Sequence, residues 1–529
     1  MTPMDTPDAG ADLDRSSRLR RDQVDGDAVA AAASRRFQPW LLGLLGVLMV
    51  VFSAPPLVNV VRGWPNKDYG LWYQVGAALR QGYDIYPDPT SGRLFPFMYP
   101  PSAAALLGYV SFVGESGTIA LLTLAHSIAW LGAIVLSVRL ATGGKASGRN
   151  PLLYVVPSLC IVALIHNSYM LGQPNMALLT LLLAAFYCLQ KGRDGWAGAL
   201  VATSAAIKAF PILALGYFIY RRKWRASAAT VAALAAWLLI VPLPFRTPAQ
   251  AVRDVKVWTG GMLFTYNSQG IAQRPFRSYS YKNQSIMALA HRFLRDVPAD
   301  GEAVLSRRTN NFRKERAQMG LHADGSIDLT TILTAPARPA NLDKLFEGSA
   351  DDLKKAWRVN VASLDFRTVT LVTLSAMLGL SLLVVVAMPP ARRRTARTDA
   401  LEFALITLLI VMFSPLSFNY AFVWLIYPIT VALNEVLEHP APAGRRRTLQ
   451  RAWLATILLI PALAIPMPLY AQAWGNLFVP ALLLVLSLGW TLLRVSRDEI
   501  DQHGETSLQR HAKPHAAGAG ASALSSQAG

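Results

Sequence analysis

Three aspartates lie among aromatic residues in the segment WPNKDYGLWYQVGAALRQGYDIYPD, residues 64–88. A carboxylate within hydrogen-bond reach of a hydroxyl can take its proton as a general base, so Asp68, Asp84 and Asp88 are candidates for acid–base chemistry or for binding hydroxyl groups. Structural roles compete, because Asp is a favoured helix N-cap and is common in turns such as YPDPTSG. The loop has no DxD pair and the chain has no His/Cys ligand cluster, so the sequence predicts neither a metal site nor a cofactor.

One cation stands inside an apolar stretch. Lys208 lies in ATSAAIKAFPILAL, where a charge at membrane depth is costly unless it faces a partner or water. Such a residue is a functional candidate by default, and an ammonium group is suited to hold a phosphate. The alternative is that the long side chain snorkels to the headgroups. Both interpretations place the ammonium near lipid phosphate.

Four amides stand at the ends of apolar runs or in the KNQS motif. They can hydrogen-bond substrate hydroxyls or cap helices and turns, and the sequence leaves both roles open for Gln173, Asn175, Asn283 and Gln284. Three further cations are favoured as solvated loop charges: Arg274, Arg277 and Lys282. The sequence favours buried, hydrogen-bonded imidazoles and buried structural thiols for His126, His166, Cys160 and Cys188.

Composition indicates the kind of protein that must position these residues. The chain has 529 residues, of which 53% are hydrophobic and only 16% charged, whereas soluble domains carry about a quarter charged residues. Several apolar runs approach the roughly 20 residues that a helix needs to cross a bilayer. The net charge of +19 comes largely from arginines beside apolar runs, which is typical of cytoplasmic loops rather than of nucleic-acid binding. The sequence predicts an all-α polytopic membrane protein.

The charge of the hydrophilic loops between apolar runs, called joints here, predicts the topology. Basic joints such as KGRDG, RRKWR and PPARRRTARTD alternate with joints that lack basic clusters, such as NSYMLGQPN and SPLSFNY, and the basic ones are expected inside. About twelve spans with both ends in the cytoplasm satisfy this pattern. The spans are expected near 38–60, 117–138, 151–167, 175–190, 196–208, 210–220, 227–245, 366–388, 400–416, 420–437, 452–471 and 476–494.

Two places strain this count. The segments 196–208 and 210–220 are short for full crossings, so we expect a broken pair with Lys208 and Pro211 at the bend. Counting 99–114 as a span would place the joint GGKASGR outside, so we expect a juxtamembrane helix there, opened by Pro100 and Pro101. A second juxtamembrane helix is expected over DYGLWYQVGAALRQG. Its Trp and Tyr rings suit the headgroup zone.

Five regions follow from this topology. We expect a disordered cytoplasmic N-terminus over 1–36 and a disordered cytoplasmic tail over 497–529. The first membrane module covers 37–245 and includes an outer loop, 61–116, with the acids and aromatics. A large extracytoplasmic loop over 246–365 contains a hydrophilic insertion near 298–360, and further spans fill 366–496.

The ordered set of motifs resembles glycosyltransferase family 87, which includes polyprenyl-phosphate-mannose-dependent mannosyltransferases of the GT-C superfamily. The resemblance is carried in order by Asp68, GYDIYPD, FMYPPSAAALL, GQPN, AAIKAFPILAL with RRKW, KNQS and SPLSFNYAF. It implies a GT-C fold with two juxtamembrane helices in the first outer loop. It also implies that Asp68 is the catalytic base. Tyr99 in FMYPP and Asn419 in SPLSFNY are expected to contact substrate.

The chain departs from the family near its end. A histidine often follows S-P-x-S in the family, whereas this sequence has Phe418, Asn419 and Tyr420 there. A role for a histidine at this place is therefore not expected. The departure is compatible with a different acceptor or sugar.

The resemblance implies an inverting glycosyltransferase in the cytoplasmic (inner) membrane. It would move a hexose, mannose by family default, from a polyprenyl-phosphate donor to a lipid- or glycan-linked hydroxyl, with Asp68 as base and Lys208 at the phosphate. One rival is a lipid-linked sugar transporter or flippase, which predicts charged residues in the middle of several spans. Another is a relative that binds the lipid-linked sugar without catalysis. The polar features gather at the ends of the predicted spans, which favours chemistry at an interface.

Overall fold

The computed structural model describes residues 40–511 except for 41–42, 65, 87–96, 145–149, 269, 273, 276–277, 301–328, 330–355, 442–443 and 463–468. The described chain is mainly helical. Its helices before the long loop are α1 Gly43–Arg62, α2 Lys67–Arg80, α3 Pro101–Val110, α4 Gly114–Thr142, α5 Leu152–Cys160, α6 Val162–Leu171, α7 Asn175–Gln190, α8 Asp194–Ile207, α9 Ala214–Tyr220, α10 Trp224–Leu239, α11 Pro248–Trp258 and α12 Ile286–Leu294.

The remaining elements complete the bundle. The later helices are α13 Phe366–Ala387, α14 Ala396–Phe413, α15 Ile426–Glu438, α16 Arg445–Ala462, α17 Leu469–Ala473 and α18 Phe478–His511. Short 3-10 turns occupy Ser111–Val113, Phe210–Leu213, Ala391–Arg393 and Asn419–Leu425, and a π turn occupies Thr259–Leu263. The two short strands β1 Gly270–Ile271 and β2 Arg274–Pro275 pair antiparallel, with Gly270 opposite Pro275.

Five stretches of described helix are long and apolar enough to cross a membrane. They are Gly43–Arg62, Pro101–Thr142, Phe366–Ala387, Asn419–Glu438 and Phe478–Arg497. A sixth span arises if α5 and α6, which meet at a 66° bend, are counted as one. The mainly helical fold with several candidate spans is thereby confirmed, and the count of twelve stays a prediction. Shorter apolar helices cover Asn175–Gln190, Phe210–Tyr220 and Trp224–Leu239, where spans were also expected.

Apolar side chains pack inside the bundle and also cover its outside. The core lies among α4, α7, α14, α15 and α18, where the rings of Phe186 and Phe403 stack with their centroids 4.3 Å apart. By contrast, α1 and α13 leave large apolar side chains exposed, such as Val61 and Leu371. Extended apolar surface of this kind is disfavoured in water and is expected where a helix faces lipid.

The loop over residues 61–116, named here the acidic loop, contains two helices at the predicted places, α2 and α3. α2 and α3 run side by side, and a Cβ added at Gly76 would lie 2.2 Å from the backbone oxygen of Leu107. Only glycine permits so close an approach. The helix expected over 99–114 is α3, which continues through a 3-10 turn into α4. Whether α2 and α3 lie at the membrane surface stays a prediction.

The predicted break around Lys208 is present. α8 ends at Ile207, and Lys208 has extended backbone with φ −153° and ψ 124°. Pro211 then lies in the 3-10 turn that leads into α9. Because the chain leaves the helix at Lys208, its side chain points away from the helical packing of α8 and toward the neighbouring elements.

A buried group of charges, named here the Glu402 cluster, joins the end of α9 to α14 and to the residues just before α14. It comprises Tyr217, Arg221, Arg394, Asp399 and Glu402. Glu402 is fully buried and accepts hydrogen bonds from the Tyr217 hydroxyl at 2.8 Å and from the Arg221 guanidinium. Arg394 donates to Asp399 at 2.7 Å and to the Tyr217 hydroxyl at 3.2 Å. Each carboxylate here is compensated by a guanidinium.

Candidate functional site

Asp68 is held by an amide from a distant part of the chain. It lies in the first turn of α2, where the N-cap is Asn66. The interpretation of Asp68 as a helix N-cap is therefore wrong, because that position belongs to the residue two places earlier. The Asp68 Oδ2 atom accepts a hydrogen bond from Gln173 Nε2. The predicted base and a predicted substrate-binding amide thus lie in direct contact.

Gln173 is oriented by a second predicted residue. The Tyr99 hydroxyl donates to Gln173 Oε1 at 2.9 Å. An amide presents its oxygen to donors and its nitrogen to acceptors, so this bond directs Nε2 toward the Asp68 carboxylate. The Tyr86 hydroxyl in turn donates to the backbone oxygen of Tyr99 at 2.8 Å. The aromatics of the acidic loop therefore position the polar groups beside Asp68.

The turn before Gln173 requires glycine. Gly172 has φ +71°, and a Cβ placed there would lie 3.0 Å from the ring of Tyr69. Positive φ and the close ring both disfavour a side chain. Trp72 Nε1 also donates to the Gly172 oxygen at 2.9 Å. Two aromatics of α2 thus fix the turn that presents Gln173.

Lys208 lies in the same neighbourhood. Its Nζ atom donates to Asn175 Oδ1 at 3.4 Å. The ammonium is 5.4 to 5.7 Å from the centroids of three rings, those of Tyr99, Phe210 and Tyr420. A cation near the face of an aromatic ring is stabilised by the ring quadrupole. Neither a direct partner nor aromatic surface was specified by the sequence for this lysine.

Asn175 has an unused donor in this position. Its side chain is fully buried, and within the described residues Nδ2 has no hydrogen-bond partner. A buried N–H without a partner costs about 1 to 3 kcal/mol. Such a donor next to an ammonium group favours an acceptor from a bound ligand, such as a phosphate or hydroxyl oxygen.

We name the connected residues Asp68, Tyr99, Gln173, Asn175 and Lys208 the Asp68 network. All five were predicted from the sequence. Tyr99 links its two halves, because its hydroxyl bonds Gln173 while its ring faces the Lys208 ammonium. The structure therefore brings a carboxylate and an ammonium group into one neighbourhood through an amide and a phenol.

Residues that follow the long loop over 246–365 also contact this site. Trp424 Nε1 donates to the Asn175 backbone oxygen at 2.8 Å, and its ring lies 4.9 Å from that of Phe210. Asn419, a predicted substrate contact, precedes Tyr420, and its Oδ1 atom is buried without a partner among the described residues. Sequence reasoning did not assign Phe210, Tyr420 or Trp424 to the site. The SPLSFNYAF motif and the position of Phe210 two residues after Lys208 were the available signals.

Asp84 belongs to another group of charges, named here the Asp84 cluster. Arg253 Nη2 lies 2.7 Å from the Asp84 carboxylate and 3.0 Å from that of Asp254. Arg246 Nε lies 3.1 Å from Asp254. Burial raises the pKa of Asp254, although both guanidinium groups oppose that effect. The contacts of Asp84 therefore place it in an ion cluster with α11 rather than in the Asp68 network.

Asn283 and Gln284 tie loops together. Asn283 Nδ2 donates to the backbone oxygens of Ser278 and Pro415, and Gln284 Nε2 donates to those of Tyr281 and Gln472. Both hydrogens of each amide are thus occupied by backbone carbonyls. A sugar could use these donors only by displacing those bonds.

The other sequence candidates lie apart from the site or outside the described residues. Lys282 rests 5.9 Å from the ring of Tyr281, and His166 packs against Phe52 with ring centroids 5.2 Å apart. Cys160 and Cys188 are free thiols. Asp88, Arg277, the side chain of Arg274 and most of the insertion near 298–360 lie outside the described residues. Across the described ranges, no group of three or more His, Cys, Asp or Glu is placed to hold a metal.

Comparison with known proteins gives this geometry a context. Two curated relatives are polyprenol-phosphate-mannose-dependent alpha-(1-2)-phosphatidylinositol pentamannoside mannosyltransferases, from Mycobacterium tuberculosis and Mycolicibacterium smegmatis. Each is 30% identical to this chain, over 229 and 231 residues respectively. The aligned regions cover 41% and 40% of this chain and 52% of each relative. The chain therefore spans about half the length of the curated relatives it matches, and no solved structure matches it.

A family model covers much of the described site. Residues 97–306 match the model of Glycosyltransferase family 87. This range contains Tyr99, Gln173, Asn175 and Lys208, whereas Asp68 precedes it. Over residues 97–306 the chain is therefore similar to glycosyltransferase family 87.

Proposed function

We propose that this protein is a membrane glycosyltransferase that transfers a hexose from a polyprenyl-phosphate donor to a lipid- or glycan-linked hydroxyl. Mannose is the sugar that the names of the relatives favour. The observation that carries the proposal is the Asp68 network, which joins a carboxylate and an ammonium group from separate helices through Gln173 and Tyr99. The family match supports the class of reaction.

The proposed reaction is a single displacement with inversion. The acceptor hydroxyl attacks the anomeric carbon, the bond from that carbon to the phosphate oxygen breaks, and polyprenyl phosphate leaves. Asp68 takes the hydroxyl proton as general base. Gln173 holds one carboxylate oxygen, which fixes the direction in which Asp68 meets the acceptor. No external oxidant or reductant is needed, because the step exchanges one C–O bond for another.

Lys208 is proposed to meet the phosphate as it departs. Positive charge placed where negative charge develops stabilises the transition state, and Lys208 carries such a charge next to the unused Asn175 donor. Tyr99, Phe210 and Tyr420 restrict the side chain to one region. This role lets an amine take the place of a metal ion at the phosphate.

The proposed setting is the cytoplasmic membrane, with the Asp68 network on its outer face. We propose a GT-C architecture of about twelve membrane helices in which α2 and α3 are the juxtamembrane pair. The five long apolar helices, the bent α5–α6 pair and the shorter apolar helices support this arrangement. The alternation of basic joints supports the orientation.

The test of the function uses the purified protein in vesicles with radiolabelled polyprenyl-phosphate-mannose and, separately, a nucleotide-linked mannose. We expect sugar transfer to a lipid or glycan acceptor from the polyprenyl-phosphate donor alone. If the protein binds the donor but transfers no sugar over a panel of acceptors and donor sugars, the proposed glycosyltransferase activity is contradicted. That result would favour a relative that binds the lipid-linked sugar without catalysis. Donor movement across the vesicle without transfer would favour the transporter.

Lys208→Gln tests the phosphate role in the same assay. Glutamine keeps a hydrogen-bond donor for Asn175 but removes the charge, so we expect kcat/KM to fall about 10- to 100-fold. The matched control is Lys191→Gln, because Lys191 also rests on a tyrosine ring, 5.6 Å from the centroid of Tyr187, but outside the network. Equal losses in the two variants would remove Lys208 from the mechanism.

A further inference from the structure

A buried histidine faces the backbone that carries Gln173. His126 lies in α4, and its Nε2 atom is 2.5 Å from the Gln173 backbone oxygen. Its Nδ1 atom is 2.9 Å from the oxygen of Leu122, one helical turn earlier. A neutral imidazole donates from one nitrogen only. We assign the proton to Nε2, because its contact is the shorter of the two, and an unprotonated nitrogen 2.5 Å from a carbonyl oxygen would be repelled.

The backbone oxygen of Gln173 accepts a second hydrogen bond, from a donor in another helix. Ser168 Oγ in α6 donates to it at 3.1 Å. Two helices therefore direct donors to one carbonyl of the turn between α6 and α7. The imidazole is itself confined by two rings, those of Tyr69 at 6.1 Å and Tyr169 at 5.4 Å between centroids.

These contacts put the histidine one residue from the reacting groups. The main chain of Gln173 is fixed by His126 and Ser168, and its side chain donates to Asp68. A shift of the main chain would move the amide and, with it, the carboxylate that the amide orients. Misplacement by about 1 Å can cost a reaction about 100-fold.

We infer that His126 is a positioning residue, which holds the Gln173 backbone so that the Gln173 amide aligns the Asp68 carboxylate. The inference rests on the proposed function, in which Asp68 is the base. His126 touches neither substrate nor reacting atoms in this account. Its effect should therefore fall on kcat rather than on the KM for the donor.

The test compares three variants in the transfer assay. His126→Phe keeps an aromatic ring but removes the hydrogen-bond donor. We expect kcat to fall about tenfold, with the donor KM within about twofold of the parent. His126→Gln restores an N–H donor of similar reach and should recover kcat to within about threefold of the parent. His166→Phe is the matched control, because it makes the same change at a histidine that packs on Phe52, outside the site.

A second measurement does not depend on activity. Hydrogen exchange of the backbone amides around 172–175 should be faster in His126→Phe than in the parent and unchanged in His166→Phe. If the parent transfers no sugar, the proposed function fails, and exchange alone decides whether His126 fixes the turn.

Three results would overturn the inference. Parent-like kcat in His126→Phe would remove the histidine from the mechanism. A loss in His126→Gln as large as in His126→Phe would indicate packing rather than donation. Unchanged exchange at 172–175 would show that the turn does not depend on His126.

Discussion

The Asp68 network and the Glu402 cluster both gather acidic and basic side chains, yet they connect them differently. In the Glu402 cluster guanidinium groups contact the carboxylates directly, and Glu402 is fully buried. In the Asp68 network an amide and a phenol connect the carboxylate to the ammonium group, and Asp68 and Lys208 are only partly buried. Guanidinium groups compensate the buried carboxylates of the first group, whereas neutral groups link the Asp68 carboxylate to the Lys208 ammonium in the second.

The difference predicts which substitutions affect folding and which affect chemistry. Removing one member of a compensated buried pair leaves the other charge buried and unpaired. Replacing Asp68 by its amide keeps an oxygen that can still accept the Gln173 hydrogen bond. Substitutions in the Glu402 cluster should therefore lower the stability of the protein, whereas substitutions in the Asp68 network should lower the rate of sugar transfer.

The largest expected stability effect is in the Glu402 cluster. Glu402→Gln leaves the buried Arg221 without its carboxylate, whereas Arg394 keeps Asp399, so we expect the free energy of unfolding to fall by about 3 to 5 kcal/mol. Transfer per folded molecule should stay near that of the parent. Denaturation in detergent and transfer normalised to folded protein measure the two quantities.

The matched control is Glu435→Gln. Glu435 also pairs with a guanidinium, that of Arg397, but this arginine is 34% exposed. A partly exposed pair contributes about 0 to 1 kcal/mol. A Glu402 variant that folds as stably as the Glu435 variant would break the distinction between a structural cluster and a catalytic network.

A smaller expected effect is the loss of stability at acidic pH through His291, which belongs to neither the Asp68 network nor the Glu402 cluster. Burial, with the charge of Arg295, lowers the pKa of His291 to about 3. Arg295 donates toward Nδ1 at 3.2 Å, and the other ring nitrogen lies 2.5 Å from the Tyr266 hydroxyl. Unfolded histidine has a pKa of about 6.5, so below that pH the unfolded chain binds the extra proton.

The sign of this contribution follows directly. The His291 contribution to stability is complete above about pH 6.5 and declines as the pH falls toward 3, by up to about 1.4 kcal/mol per pH unit. His291→Gln should reduce this slope between pH 6.5 and 5. An equal slope in parent and variant would assign the acid sensitivity to other groups, including those of the two regions compared above.

The helices were predictable from sequence where an apolar run is continuous and ends at polar joints. The spans expected at 175–190 and 366–388 correspond to Asn175–Gln190 and Phe366–Ala387. The break at Lys208 was predictable because a charge and a proline interrupt short apolar segments. The bend between α5 and α6 was not expected. Pro157 interrupts the apolar run, but α5 continues past it to Cys160, so the proline does not mark Ile161 as the place of the bend.

The members of the Asp68 network were predictable as residue types at the ends of apolar runs, but their contacts were not. Gln173 and Asp68 are 105 residues apart, and Trp424 and Asn175 are 249 residues apart. Such pairs depend on how helices pack, which hydrophobic patterns do not specify. The same limit explains Asp84, whose partner Arg253 is 169 residues away.

The most direct test of the account compares two isosteric changes in the same loop. Asp68→Asn and Asp84→Asn each replace a carboxylate by an amide, and sugar transfer from polyprenyl-phosphate-mannose is measured with folding checked for both. We expect a loss of about 100- to 10,000-fold for Asp68→Asn, since a general base is removed. We expect near-parent transfer for Asp84→Asn, because Arg253 keeps its contact with Asp254. Equal transfer by the two variants would contradict the assignment of the chemistry to the Asp68 network.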